Sequence, residues 1–101
     1  AETAAKFLVD LGVKTPVITM GEQGAYLHGH GLIPAFKVGN LVETTGAGDA
    51  FNGGLAVALS EGKSVAKAVE FGCATASISV TRAGTASSMP NRHEVEKVLA
   101  I

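Results

Sequence analysis

Gly46-Ala47-Gly48-Asp49 lies where an extended segment gives way to a strongly periodic helical stretch. Glycines at 46 and 48 remove side chains, so the local backbone N–H groups can close around an anion. The first turn of a helix adds unpaired N–H groups and the positive end of a dipole. Asp49 falls within that turn. Its carboxylate sits beside donors that would stabilise charge growing on a transferred phosphoryl group, a position from which it can take a hydroxyl proton. Phosphoryl transfer asks mainly for positioning and charge stabilisation, so one oriented base and a ring of amides are a sufficient local set, with a metal ion arriving on the nucleotide. By spacing alone, a second reading has equal weight: the glycines make a tight strand-to-helix turn, and Asp49 is an acid paired with the helix dipole.

Other patterns fail or stay weak. Gly62-Lys63-Ser64 matches the end of a Walker P-loop, but Val57 stands where its first glycine belongs and the triplet follows a helix instead of opening one. A Rossmann fingerprint fails because Phe51 replaces its third glycine. His28 and His30 alternate along a strand-like segment, and without a third ligand they read as a hairpin surface pair. His93 reads as solvated. Phe7, Phe36, Phe51 and Phe71 read as core.

The elements that must position Asp49 follow from hydrophobic spacing. Ala4, Phe7, Leu8 and Leu11 share one face of a helix ending before Gly12, and Pro16 to Met20 reads as a short buried strand entering a glycine turn. From Ala25 to Val42 the pattern predicts a hairpin broken at Gly29-His30-Gly31, then a further extended segment. A helix from Ala47 to Leu59 faces inward with Ala47, Phe51, Leu55, Ala58 and Leu59. Ser64 is the expected N-cap of the next helix, which runs through Val65, Ala68, Val69, Gly72, Cys73 and Ala76 and stops between Thr81 and Gly84. Pro90-Asn91 opens a last helix with Val95, Val98 and Leu99 facing inward. Helix, strand and hairpin in this order predict an α/β fold.

Composition narrows the function classes. With 101 residues, 47% hydrophobic, the chain can close one small core. Eight basic residues against nine acidic ones give a net charge of -1, which argues against nucleic acid or an anionic membrane as partner. No apolar run approaches the roughly 20 residues needed to span a bilayer. A single cysteine, Cys73, excludes an intramolecular disulfide, and a cytoplasmic setting is the default expectation. The chain opens on Ala1 inside an amphipathic pattern, from which an upstream segment is expected.

The stretch Glu43-Thr44-Thr45-Gly46-Ala47-Gly48-Asp49 resembles the second signature of the PfkB, or ribokinase-like, carbohydrate kinase family, Asp-Thr-x-Gly-Ala-Gly-Asp, departing only at Glu43. Ala50-Phe51-Asn52-Gly53-Gly54 and Val80-Thr81-Arg82-Ala83-Gly84 are similar to the family as well. The resemblance runs over essentially the whole chain and the C-terminal third of the family's length. It implies that residues 1–101 form the C-terminal, nucleotide-binding portion of a Rossmann-type three-layer α/β/α domain, without the sugar-binding part and lid. The implied activity is ATP-dependent phosphorylation of a sugar primary hydroxyl, D-ribose first. The alternatives are another sugar, a sugar phosphate or a nucleoside as acceptor, or a non-catalytic nucleotide-binding module.

In this family likeness Asp49 is the catalytic base facing the acceptor, and the amides of Gly46, Ala47 and Gly48 hold the γ-phosphate. Thr19, Gly21, Glu22 and Gly24 fall on a nucleotide-binding turn that would otherwise read as an ordinary glycine turn, and Cys73 falls on the adenine pocket or, equally, is a small buried hydrophobe. Magnesium would arrive with ATP. A potassium-type cation would be held by Glu43, Thr45, Ser79, the Arg82 carbonyl, Gly84 and Ser88, with the extra methylene of Glu43 altering the reach of one ligand. The Arg82 side chain would otherwise be a solvated charge at a helix end. The whole protein is expected to form a homodimer, and 101 residues without a lid are expected to have little activity.

Overall fold

In the computed structural model, residues 1–42, 44–82 and 90–100 are described. They form α1 (Glu2–Asp10), β1 (Val17–Thr19), a 3₁₀ turn (Gly21–Gln23), β2 (Ala25–Leu27), β3 (Gly31–Ile33), α2 (Ala47–Ser60), α3 (Val65–Ser79) and α4 (Arg92–Leu99). None of these helices is long and apolar enough to cross a membrane.

The strands make a three-stranded antiparallel sheet in the order β1-β2-β3, with Val17 opposite Leu27 and Ala25 opposite Ile33. Side chains alternate across a strand, so Ala25 and Leu27 turn to one face together with Ile33, and that face is covered by Phe51 of α2 and by Val69 and Cys73 of α3. The hairpin expected at Gly29-His30-Gly31 is present, and His28 and His30 are exposed beside it. β1 differs from expectation. It lies at an edge of this sheet, with Val17 and Ile18 only half-buried and Thr19 exposed.

α3 is the centre of the molecule, with ten of its fifteen residues buried. One side meets the sheet. The other gathers Ala68, Phe71, Ala74 and Ile78 against Ala58 of α2 and Val95 of α4. Full burial of Val69 and Val95 stabilises the two sides by about 1.5–3 kcal/mol each. Helices α2 and α3 approach closely because the seam between them lacks side chains at two points. A Cβ on Gly72 would stand 2.9 Å from the Phe51 carbonyl oxygen and 3.0 Å from its ring, and one on Gly54 would collide with the Thr75 hydroxyl.

The starts of α3 and α4 follow the sequence signals, while α3 ends at Ser79, just before the stop expected between Thr81 and Gly84. Ser64 Oγ accepts from the Lys67 N–H at 3.3 Å, as expected of an N-cap. At α4 a capping box forms: Asn91 Oδ1 accepts from the Glu94 N–H and Glu94 Oε1 from the Asn91 N–H, both at 3.0 Å. Arg92 then pairs with Glu61 at the end of α2 and lies 5.7 Å over the Phe71 ring, which pins α4 to both longer helices.

The inward face assigned to α1 needs correction. Ala5 is the residue buried there, with Leu8 and Val9 half-buried, whereas Phe7 and Leu11 are 63% and 67% exposed. Among the other phenylalanines, Phe51 and Phe71 are core and Phe36 is half-buried. On α2, Ala50 and Gly54 join Phe51 and Ala58 inside, while Leu59 is 45% exposed.

Candidate active site

The first turn of α2 is built differently from the helix starts at Ser64 and Asn91. Gly46 is its N-cap and supplies no side-chain bond. The chain enters through a turn in which the Ala47 N–H donates to the Thr44 carbonyl at 3.1 Å, and the first regular helical bond runs from the Ala50 N–H to the Gly46 carbonyl at 2.9 Å. Between them, the amides of Gly48 and Asp49 have no acceptor among the described residues. The sequence had assigned Gly46, Ala47 and Gly48 as the anion-holding amides. In this structure the Ala47 amide is bonded to the Thr44 carbonyl, while the Gly48 amide is open with that of Asp49 beside it.

Nothing lies within 4 Å of a Cβ placed on Gly48, so open space stands over these donors. Gly46 adopts φ -94°, an ordinary value, so neither it nor Gly48 is demanded by a left-handed backbone. Asp49 is exposed, and its carboxylate meets no donor among the described residues. An anion placed here would meet two amides, the dipole of a 14-residue helix and one unengaged carboxylate.

Thr19, Gly21, Glu22 and Gly24 form the connection from β1 to β2. Its amides at Met20, Gln23 and Gly24 bond within the turn, to the carbonyls of Gly24, Met20 and Gly21 at 2.8, 3.1 and 3.2 Å. Gly24 is fixed by the fold: its φ is +111°, and a Cβ there would collide with the Ile33 carbonyl oxygen. Thr19, Gly21 and Glu22 are exposed.

Cys73 is 4% exposed, its thiol 3.8 Å from the Ile33 carbonyl oxygen. Burial, with a smaller contribution from Glu70, pushes its pKa up to about 11. This is the environment of a small core hydrophobe.

For the cation ligands, the Val42 N–H donates to the Val80 carbonyl at 2.7 Å and so draws the segment leading to Thr45 against the end of α3, where Ser79 and Arg82 lie. Ser79 is buried and Thr45 exposed. Glu43, Gly84 and Ser88 lie outside the described residues. The Arg82 side chain is not the solvated charge that the sequence allowed: it pairs with Glu94 of α4. Among the described residues no three His, Cys, Asp or Glu side chains group as a metal site. A concavity of about 530 Å³ between α3 and α4, bordered by Lys63, Lys67 and Arg92, contains none of the predicted site residues.

Comparison with known proteins bears on the same stretch. The family model for pfkB family carbohydrate kinases matches residues 1–92. The ribokinase of Haemophilus influenzae is 43% identical over 102 residues, covering 98% of this chain and 33% of that protein. The crystal structure of ribokinase from Thermotoga maritima superposes with a TM-score of 0.92 at 50% identity, over 99% of this chain and 34% of that one. The Arabidopsis thaliana ribokinase, solved in complex with ribose and ATP, superposes with a TM-score of 0.89 at 36% identity, over 98% and 33%. The α/β fold is therefore that of the ribokinases, and the chain spans about a third of the length of the curated relatives it matches. On the strength of the family model, these identities and the signature at the start of α2, the chain belongs to the pfkB family of carbohydrate kinases.

Proposed function

We propose that residues 1–101 form the nucleotide-binding, phosphoryl-transfer part of an ATP-dependent sugar kinase of the ribokinase type, with D-ribose as the acceptor. The observation that carries this is the open first turn of α2, where two amides and the Asp49 carboxylate face solvent within a family signature. The γ-phosphate sits against the amides of Gly48 and Asp49, and Asp49 takes the proton of the attacking hydroxyl. Thr19, Gly21 and Glu22 meet the nucleotide at the β1–β2 turn, while Gly24 shapes that turn. Cys73 supports the adenine side from within the core. The similarity to a ribokinase solved with ribose and ATP supports both the nucleotide and the sugar class.

Magnesium enters bound to ATP. Hydroxyl and carbonyl oxygens at Thr45, Ser79 and Arg82 are the donor type that a potassium-like cation takes, with Glu43, Gly84 and Ser88 completing the proposed set. Such a cation would add positive charge near the transferring phosphate.

Exchange of Asp49→Asn in the full-length polypeptide tests the assignment. Turnover of ATP with D-ribose should fall about 10³-fold, the scale of a lost general base, while ATP affinity by calorimetry stays within about threefold. Retained turnover would refute the role of Asp49. Running the wild type on other pentoses, a hexose, a sugar phosphate and a nucleoside tests the acceptor, and a clear preference for any of these over D-ribose would replace it.

A further inference from the structure

Between β3 and α2 the described residues 34–42 and 44–46 form no helix or strand, and α2 with Asp49 follows them. Hydrogen bonds tie this strap to the C-terminal half of α3 and to its C-cap. The Phe36 N–H donates to Ser77 Oγ at 3.0 Å, and the Val42 N–H donates to the Val80 carbonyl, the C-cap of α3. Of these, only the first is made by a polar side chain.

Ser77 is 7% exposed, and its hydroxyl is used in both directions: it donates to the Cys73 carbonyl at 2.7 Å and accepts from Phe36. The point it holds is where the strap leaves the sheet. Pro34 has no N–H to give, and Ala35 makes only a long bond, 3.4 Å, to the Gln23 carbonyl. The Phe36 side chain lies just beyond, packed against both halves of the core. Without the Ser77 hydroxyl the Phe36 amide would be left in a half-buried place with no acceptor, and side-chain packing would have to hold the start of the strap without that hydrogen bond.

We infer that Ser77 is a positioning residue for the first turn of α2: its hydroxyl fixes the start of the strap and thereby the place of Asp49 and the Gly48 amide. The inference rests on the kinase reading above. A shift of about 1 Å at a reacting group is enough to cost on the order of 10²-fold in rate, so partial loosening is expected to cost about tenfold.

The test uses the full-length kinase in three forms, wild type, Ser77→Ala and Asp49→Asn, with Ser77→Thr as the rescue. Ser77→Ala should speed hydrogen exchange at Phe36, lower kcat about tenfold and leave the KM for ATP within about twofold, and the deficit should persist well below the melting temperature. Ser77→Thr, which keeps the hydroxyl, should recover most of the rate. Unchanged kcat alongside faster Phe36 exchange would overturn the proposal, as would a rate loss that vanishes on cooling. If Ser77→Ala does not fold, Ser77→Cys takes its place, with a thiol of similar volume and weaker bonding, and full turnover in that variant overturns it equally. An active Asp49→Asn enzyme would sink the kinase assignment separately, and would remove the object that Ser77 is said to position.

Discussion

The first turn of α2 and the seam that starts one turn further along the same helix follow opposite rules. At the seam, Phe51 and Gly54 meet Gly72 and Thr75 so closely that there is no room for another methyl group. At the first turn there is nothing within reach of Gly48 at all, the N-cap offers no side chain, and two amides and a carboxylate are left to solvent. The starts of α3 and α4 show the alternative, since Ser64 and Asn91 satisfy donors that α2 leaves open. With glycine rather than a side-chain cap, the turn gives up a few tenths of a kcal/mol of helix stability. The lesson is that one helix can hold a rigid segment and an unsatisfied one side by side, with the rigid part supplying the precision that the open part needs.

Substitutions can break this contrast from either side. The largest expected effect is at the seam: Gly72→Val should push α2 away from α3 and cost about 3 kcal/mol, read as a lower urea midpoint, with loss of activity following loss of fold. A neutral result would mean that the seam is softer than its geometry. Gly48→Ala should do the reverse. Its Cβ meets open space and alanine favours a helix, so stability should hold or rise by up to about 1 kcal/mol, while turnover falls about tenfold because a methyl group now stands over the amides. Equal turnover would show that no ligand approaches there. The smallest effect is expected from Asn91→Ala, which opens the capping box of α4 and should cost about 1 kcal/mol by urea unfolding with no change in ATP affinity. A change in ATP affinity there would erase the distinction between structural and functional helix starts.

Much of this could be read in the residues because the signals were local. Ser64 and Asn91 mark helix starts by the bonds their own side chains make a few residues ahead, and Gly29-His30-Gly31 marks the hairpin by what its backbone can adopt. The Gly46–Asp49 signature is equally local, and its place at a helix start followed from periodicity. What failed depended on distant partners. Phe7 and Leu11 show the right spacing for an inward face, but spacing cannot say which stripe of α1 is covered. The strand at Val17–Thr19 looked buried because it is apolar, although the sheet places it at an edge. Ser77 went unnoticed among small helical residues, since its partner Phe36 lies 41 positions away. Arg82 with Glu94 is the same kind of case, an ion pair closed only by the packing of α4.

The burial of Cys73 has a practical corollary. With its thiol kept protonated up to a pH near 11 and shielded by the hairpin, the chain's own sulfur should stay silent toward maleimides and disulfide reagents under native conditions. One cysteine introduced on the exposed strap, at Asn40 for example, would then be the sole reactive handle among these 101 residues. A fluorophore placed there would report directly on whether the approach to Asp49 responds to added ATP.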